Sequence, residues 1–280
     1  MSVNIKGSVD LHVHTTCSDG LLRPEEVVIK AKELDLAAIG IADHDSVSGI
    51  EKAQQIGAEI GMEVVPAAEL SCIHNNSDIH ILGYYLDYHN IELMDFLNSV
   101  QEQRLERAHK IVGKLSEQGV NIDVERVLEL SAGASVGRPH IAQVLLERGY
   151  VNSFSEAFWK FIGYHCPAYV PKMEISPPEA INLIKKFAGI PILAHPGSYR
   201  NDELVYSLIQ AGISGLEVWH PEHTSSSAEH YLEICQKNGL LVTGGSDCHG
   251  GRKGRIFMGE VRIPYHYLAE LKNSKDKPKN

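Results

Sequence analysis

The 280-residue chain is 43% hydrophobic and carries a formal charge of −10. Its length accommodates two domains or one α/β barrel of about 250 residues, and no apolar run approaches the roughly 20 residues of a membrane span. With no basic segment followed by an apolar stretch at the start, a cytoplasmic location without a membrane partner is expected, and the acidic balance argues against a broad electrostatic grip on duplex DNA.

The five cysteines, Cys17, Cys72, Cys166, Cys235 and Cys248, form no C-x-x-C pair, as expected of reduced thiols. Histidine is the unusual residue. There are 15, most of them at expected strand ends or beside Gly, Pro and Asp.

In chain order, residues 9–13 read as a short strand ending in histidines. Pro24 opens a helix to about residue 34, since proline is at home in a first helical turn. Residues 37–42 read as a buried strand, Ser46 as the cap of a helix to about residue 60, and 63–70 and 79–86 as further strands. Repeated βα units imply a mostly parallel sheet. From 91 to 161 no strand is legible. Residues 91–118 carry helical periodicity through Leu93, Phe96, Leu97, Val100, Leu105, Ala108, Ile111, Val112 and Leu115, and Gly119 ends it. Shorter helices are expected at 123–130, 139–148 and 153–160. The βα rhythm then returns, with helices at 177–187, 202–211 and 225–237 and strands at 190–194, 215–219 and 240–244. About seven strands predict a barrel or strongly curled sheet built from 1–90 and 162–270. The block 91–161 reads as a helical insertion and 271–280 as a flexible, lysine-rich tail.

Six clusters carry chemistry. Asp10-Leu-His12-Val-His14 places two imidazoles on one strand face, because alternate residues share a face. Ser18-Asp19-Gly20 follows in the loop. Asp43-His44-Asp45 ends the second strand, where α/β folds bind ligands, although taken in isolation Asp43 or Asp45 reads slightly better as the cap of the next helix, with His44 as loop filler. Glu69 lies inside an otherwise apolar strand, a costly place for a carboxylate without a partner or a metal. His80, seen alone, reads as a satisfied core residue. His195-Pro-Gly197 ends an apolar strand, and Gly244-Gly-Ser-Asp247-Cys-His249-Gly places Asp and His two apart at the end of another. Individually these are weak; together, five of the six fall at or just past the carboxyl end of an expected strand, and all suit zinc, manganese or iron. Cys17 and Cys72, near these motifs, read as small buried fillers.

The order H-x-H-T, S-D-G, D-H, E, H, H-P-G, G-S-D-x-H-G resembles the PHP family (polymerase and histidinol phosphatase) over residues 10–249. That resemblance implies a distorted (β/α)7 barrel holding two or three divalent ions. Carried over by motif, His12, His14, Glu69 and Asp247 would hold one ion. Glu69 would bridge to a second, completed by His80 and His195, and Asp19, His44 and His249 would hold a third. Glu69, His195 and Asp247 are the expected catalytic positions, with a metal-bound hydroxide attacking phosphorus in line; no G-x-S-x-G elbow or P-loop is present.

The insertion, with Gly137-Arg-Pro-His140, and the segments Tyr169-Val-Pro-Lys172 and Glu217-Val-Trp-His220-Pro-Glu-His223 resemble a subgroup of that family. It includes phosphatases of 3′,5′-nucleoside bisphosphates and 5′→3′ exoribonucleases of the RNase AM type. Arg138, His140, Lys172, His220 and His223 are therefore the expected substrate contacts, with a nucleotide phosphomonoester or short RNA as partner. Cys248 departs from the aromatic residue expected there in that subgroup. The alternatives are a histidinol-phosphate phosphatase, against which the insertion argues, and a non-catalytic module, which would have lost ligands.

Overall fold

The computed structural model describes residues 7–75, 77–131, 133–172, 175–251 and 257–275. In chain order the elements are β1 Ser8–Val13, α1 Pro24–Glu33, β2 Ala38–Ile41, α2 Ile50–Ile60, β3 Glu63–His74, β4 Ser77–Tyr84, α3 Ile91–Glu117, α4 Val124–Ser131, α5 Arg138–Glu147 and α6 Phe154–Ala157, the last running into a π turn, Phe158–Ile162. Then follow α7 Pro177–Lys186, β5 Ile190–Leu193, α8 Pro196–Tyr199, α9 Asp202–Gln210, β6 Gly215–Trp219, α10 Ser225–Asn238, β7 Leu241–Gly244, β8 Ile263–Pro264 and α11 Tyr265–Lys275.

The strands form one sheet in the order β7-β6-β5-β4-β3-β2-β1-β8. Beyond the end of β7, Cys248 bridges to Val13 and its carbonyl accepts the His14 N–H at 3.0 Å, so the sheet nearly closes into the expected distorted barrel. The runs β1-β2-β3 and β5-β6-β7 are parallel, but β4 is antiparallel to both β3 and β5. The link between β3 and β4 is far too short for the crossover that a parallel pair requires.

This reversal positions the site. An antiparallel strand brings its amino-terminal half beside the carboxyl-terminal halves of its neighbours. His80, early in β4, therefore pairs with Ser71 late in β3. It explains why His80 was the cluster that did not fall at a strand's carboxyl end.

Two other local expectations change. Helix α2 begins at Ile50 behind Gly49, and Ser46 caps nothing, its Oγ lying 2.9 Å from Ser48 Oγ instead. The tail expected from residue 271 is helical through Lys275: Leu271 is fully buried against β1 and β8, and Lys272 donates to the Tyr265 hydroxyl at 2.8 Å. Residues 276–280 lie outside the described residues.

The barrel strands pack Leu70, Ile81, Leu193, Leu216 and Val218 against the outer helices. The helices following β4 have an apolar cluster of their own, including Leu115, Val127, Ile141 and Leu145 and reaching Ala168. Leu93, Leu97 and Val100 of α3 pack into the barrel's apolar cluster, and two arginines add polar ties, Arg138 of α5 to Asp78 of β4 and Arg104 of α3 to the segment after β2. Arg104 of α3 donates from Nε at 2.9 Å, and again from Nη2, to Asp45 Oδ2, and also reaches Ser71 Oγ at 3.0 Å. No helix of the described residues is long and apolar enough to cross a membrane.

Candidate metal centre

The motif residues converge on one cavity floor, and Glu69 is its centre. In β3 the side chains of Ala68 and Leu70 face the outer helices, so alternation turns Glu69 inward. Its two oxygens serve different neighbours. Oε2 lies 3.3 Å from both His12 Nε2 and His14 Nε2, while Oε1 lies 3.0 Å from His80 Nδ1 and 3.2 Å from His195 Nε2.

Donor atoms about 2.0–2.2 Å from a shared ion stand about 3.0–3.5 Å from one another in tetrahedral or octahedral arrangements. The first expected set meets this closely. His12 Nε2 and His14 Nε2 are 3.1 Å apart, and Asp247 Oδ1 is 3.7 and 3.1 Å from them. In the second set, His80 Nδ1 and His195 Nε2 are 3.3 Å apart and both face Glu69 Oε1. His44 joins this group as well, its Nδ1 3.0 Å from Glu69 Oε2. In the third, Asp19 Oδ1 is 3.2 Å from His249 Nε2 and 4.0 Å from His44 Nε2, and His14 also falls within reach. All nine expected ligands thus come together. None of the five cysteines belongs to a set; Cys72 is fully buried, as a filler would be, whereas Cys17 is only partly buried, so the filler expectation fails there.

Two observations test whether these residues fit divalent ions. His12 Nε2 and His14 Nε2 face each other at a distance only a shared proton or a cation makes favourable. Glu69 Oε2 is buried among the His12, His14 and His44 nitrogens at 3.0–3.3 Å without a well-directed hydrogen bond to any of them, a crowding of donor atoms that a shared cation would make favourable. The mixed imidazole and carboxylate set suits Zn²⁺, Mn²⁺ or Fe²⁺.

The electrostatics agree. Burial opposes a charged His12, but Glu217 and Glu69 outweigh it and hold the imidazole well above its ordinary range. His14 and His195 are raised despite burial by the same class of neighbour, Glu69 in both cases and Asp247 beside them. Glu69 and Asp19 stay well below the usual carboxylate range because the surrounding imidazoles overcome their burial. Desolvation pushes His80 down to about 4.

The surrounding residues orient the ligands. Glu217 of β6, fully buried, places Oε1 3.0 Å from His12 Nδ1 and accepts the His195 N–H at 2.9 Å through Oε2. A ring held by one nitrogen presents the other to the metal. Asp10 accepts the N–H groups of Ser246 at 2.8 Å and Gly259 at 3.1 Å, and burial raises its carboxyl to about 6. Asp43 accepts from the Thr15 and Ser18 hydroxyls at 2.7 and 2.6 Å, bracing the loop that carries Asp19. Neither Asp43 nor Asp45 caps a helix. His195, Asp45 and Asp247 all hold positive φ (30°, 47° and 48°), a strained backbone for non-glycine residues.

The expected substrate contacts separate. Arg138 Nη2 and Lys172 Nζ converge on Asp78, at 2.6 and 2.7 Å, in a basic recess that shares Asp19, His44 and His80 with the metal cavity. His220 Nε2 lies 3.6 Å from Asp247 Oδ2 and lines the metal cavity. His140 is buried, and its Nδ1 accepts the Gly137 N–H at 3.0 Å, so it caps α5. His223 is engaged on both nitrogens by backbone, donating from Nδ1 to Val218 O and accepting the Gly197 N–H at Nε2, and it lines a different cavity.

Asp10 and Glu217 head motifs in the sequence but were given no role there, and Arg104 and Arg107 were not singled out at all. Glu217 had a signal: like Glu69, it is a carboxylate inside an apolar strand. Arg107, on the α3 helical stripe, gave none. It is about nine-tenths buried in the basic recess, donates from Nε to Val170 O at 2.8 Å, and has no carboxylate at ion-pair distance among the described residues. Burial, then Arg138 and Arg104, lower it to about 10.

The PHP domain profile matches residues 10–164. Phosphoribosyl 1,2-cyclic phosphate 1,2-diphosphodiesterase of Eggerthella lenta is 29% identical over 91% of this chain and 98% of its own length. The 5′-3′ exoribonuclease Rnm of Escherichia coli K12 is 30% identical over 86% and 84%, and the 3′,5′-nucleoside bisphosphate phosphatase of Chromobacterium violaceum 28% over 91% and 91%. A crystal structure from Bifidobacterium adolescentis, assigned to the metal-dependent phosphoesterases, superposes with a TM-score of 0.88 at 31% identity, covering 96% of each chain. These relatives do not favour the histidinol-phosphate alternative. Since the profile spans more than half of the chain and the exoribonuclease relative is 30% identical over most of both chains, the chain belongs to the PHP family and is a metal-dependent hydrolase of phosphate esters.

Proposed function

We propose that the protein hydrolyses phosphomonoesters of nucleotides, 3′,5′-nucleoside bisphosphates foremost, and short RNA from its 5′ end, with two or three Mn²⁺, Zn²⁺ or Fe²⁺ ions. The carrying observation is the basic recess joined to the metal cavity. A substrate with one phosphate needs only the metals; Arg138, Lys172 and Arg107 beside them suit a second phosphate on the same molecule. The similarity to the bisphosphate phosphatase and the exoribonuclease supports the same class.

Divalent ions at such a centre supply Lewis-acid activation of water and neutralise phosphoryl charge. The chain's own residues do the rest. His12, His14, Glu69 and Asp247 would hold one ion, with Glu217 keeping His12 in one tautomer, and His80 and His195 would hold a neighbouring one. Asp19, His44 and His249 would hold a third, Asp19 and His44 also lining the basic recess. Arg138 and Lys172 orient the second anion, releasing Asp78 as it enters. His220, beside Asp247, offers a polar group at the cavity wall.

Phosphate release with Mn²⁺ from adenosine 3′,5′-bisphosphate, a mononucleotide, a cyclic phosphoribosyl ester and histidinol phosphate, together with mononucleotide release from 5′-phosphorylated short RNA, tests this. The bisphosphate should be fastest, and a chelator should abolish turnover. Faster release from histidinol phosphate or the cyclic ester would overturn it.

A further inference from the structure

A tryptophan stands open at the edge of the metal cavity. Trp159 is 70% exposed, although burying so large a ring is ordinarily favourable. Among the exposed large apolar side chains of the described residues, it alone lines that cavity. Phe154, Ser155, Phe158 and Trp159 all line the same wall. Two pairs four residues apart on one helix present a single face.

The local backbone is built to hold that face. The Gly163 N–H donates to Phe158 O, five residues back, at 2.8 Å, which is the π-type bond. A Cβ on Gly163 would stand 2.3 Å from that oxygen, so only glycine closes the turn. The Cys166 thiol lies 3.2 Å from both Phe158 O and Trp159 O and covers carbonyls the turn leaves open. Phe154 and Phe158 lie 5.5 Å apart by ring centroid, and the Arg138 guanidinium sits 5.7 Å from the Phe158 ring. The aromatic wall therefore abuts the basic recess.

The cavity encloses about 660 Å³, within the range for an organic ligand and far beyond what a phosphate group needs. Its floor is the metal centre, one flank is cationic, and its rim is aromatic. An object with phosphate at one end and a flat π-face at the other fits all three.

We propose that Trp159, with Phe154 beside it, is a stacking platform for the nucleobase, a specificity element that selects base-bearing phosphate esters over base-free sugar phosphates. This rests on the nucleotide reading above and deepens it. Every base has a π-face, so the platform accepts all four and reads no sequence. Among these wall side chains only the Ser155 hydroxyl and the Trp159 indole N–H can hydrogen-bond, too few groups to read a base edge.

The test uses the full chain with Trp219→Phe, which leaves Trp159 as its only tryptophan. Adenosine monophosphate should quench its fluorescence without added metal, and ribose 5-phosphate should not. In kinetics with Mn²⁺, Trp159→Ala should lower kcat/KM for adenosine 3′,5′-bisphosphate about five- to hundred-fold through KM. Hydrolysis of ribose bisphosphate should change less than about twofold, and Trp159→Phe should restore most of the loss. Absence of quenching, or equal loss on both substrates, overturns the platform. So does a Trp159→Ala protein with unchanged kinetics and an altered oligomeric state, because the ring then covers a second copy of the chain. If the unsubstituted protein binds with quenching yet releases no phosphate from nucleotides, the platform stands and the substrate reading falls.

Discussion

Glu217 Oε1 lies 3.0 Å from His12 Nδ1, with both side chains completely buried. The pair settles which imidazole nitrogen faces the metal position, and the same carboxylate carries the His195 N–H on its other oxygen. One residue thereby braces a histidine from each of two candidate metal sets.

Glu217→Gln keeps the shape but weakens the hold on His12. Loss of such an orienting carboxylate typically costs about ten- to hundred-fold in metal affinity or activity. The expected outcome is a raised metal requirement for activity and little change in KM for the bisphosphate at saturating Mn²⁺. Metal titration followed by phosphate release checks it; an unaltered metal requirement would remove Glu217 from the centre.

Glu69→Gln should abolish turnover and lower the metal bound per chain. Its two oxygens face separate groups of imidazoles, and an amide presents only one acceptor. Elemental analysis of the purified variant against the unsubstituted protein measures this. Asp19→Ala, by contrast, should lower turnover while leaving the ions of the other two sets bound, since Asp19 touches His249, His44 and His14 but not Glu69.

Arg138 and Arg107 should respond differently. Arg138→Ala removes one charge-assisted contact of about 1.5–3 kcal/mol, so kcat/KM for a bisphosphate should fall about ten- to a few hundred-fold, and for an aryl phosphate far less. Arg107 is a buried cation without a carboxylate partner among the described residues. Arg107→Met should weaken bisphosphate binding in the same direction while leaving Tm unchanged or higher, because an uncompensated buried charge opposes folding. A lower Tm would show that its bond to Val170 O, not ligand binding, keeps it there.

The metal-free protein should bind metal more tightly as pH rises. His12, His14 and His195 have folded pKa values above the ordinary imidazole value, so near neutrality protons occupy positions a metal must take. Each displaced proton contributes about tenfold in affinity per pH unit. The sign for stability is the reverse. Raised imidazoles stabilise the metal-free fold fully below about pH 6.5, and this is lost as pH rises through their folded values. Stabilisation by added Mn²⁺, read as the Tm difference with and without metal, should therefore grow with pH across that window. A difference that shrinks would contradict it.

Much of this protein was legible from spacing. A histidine two residues from another in a strand must share its face, and a carboxylate inside an apolar strand needs a cation. His12, His14 and Glu69 followed from those local rules, and the family order of motifs supplied the rest of the ligand set. What spacing could not show was direction and neighbourhood. The reversal of β4, which carries His80 to the same floor as Glu69, depends on a link too short for a crossover. Glu217 acquires its role only when β6 lies across from β1, 205 residues away in sequence. His140 and His223 looked like substrate contacts because their motifs did, yet backbone groups claim the visible nitrogens once α5 and the segment after β6 are folded. Arg107 and Trp159 sit in helical patterns indistinguishable from any surface helix. Only packing α3 and the π turn over the barrel mouth turns one into a buried cation and the other into an open ring beside the candidate metal cavity, because long-range contacts, not local propensity, decide which side of a helix meets a cavity.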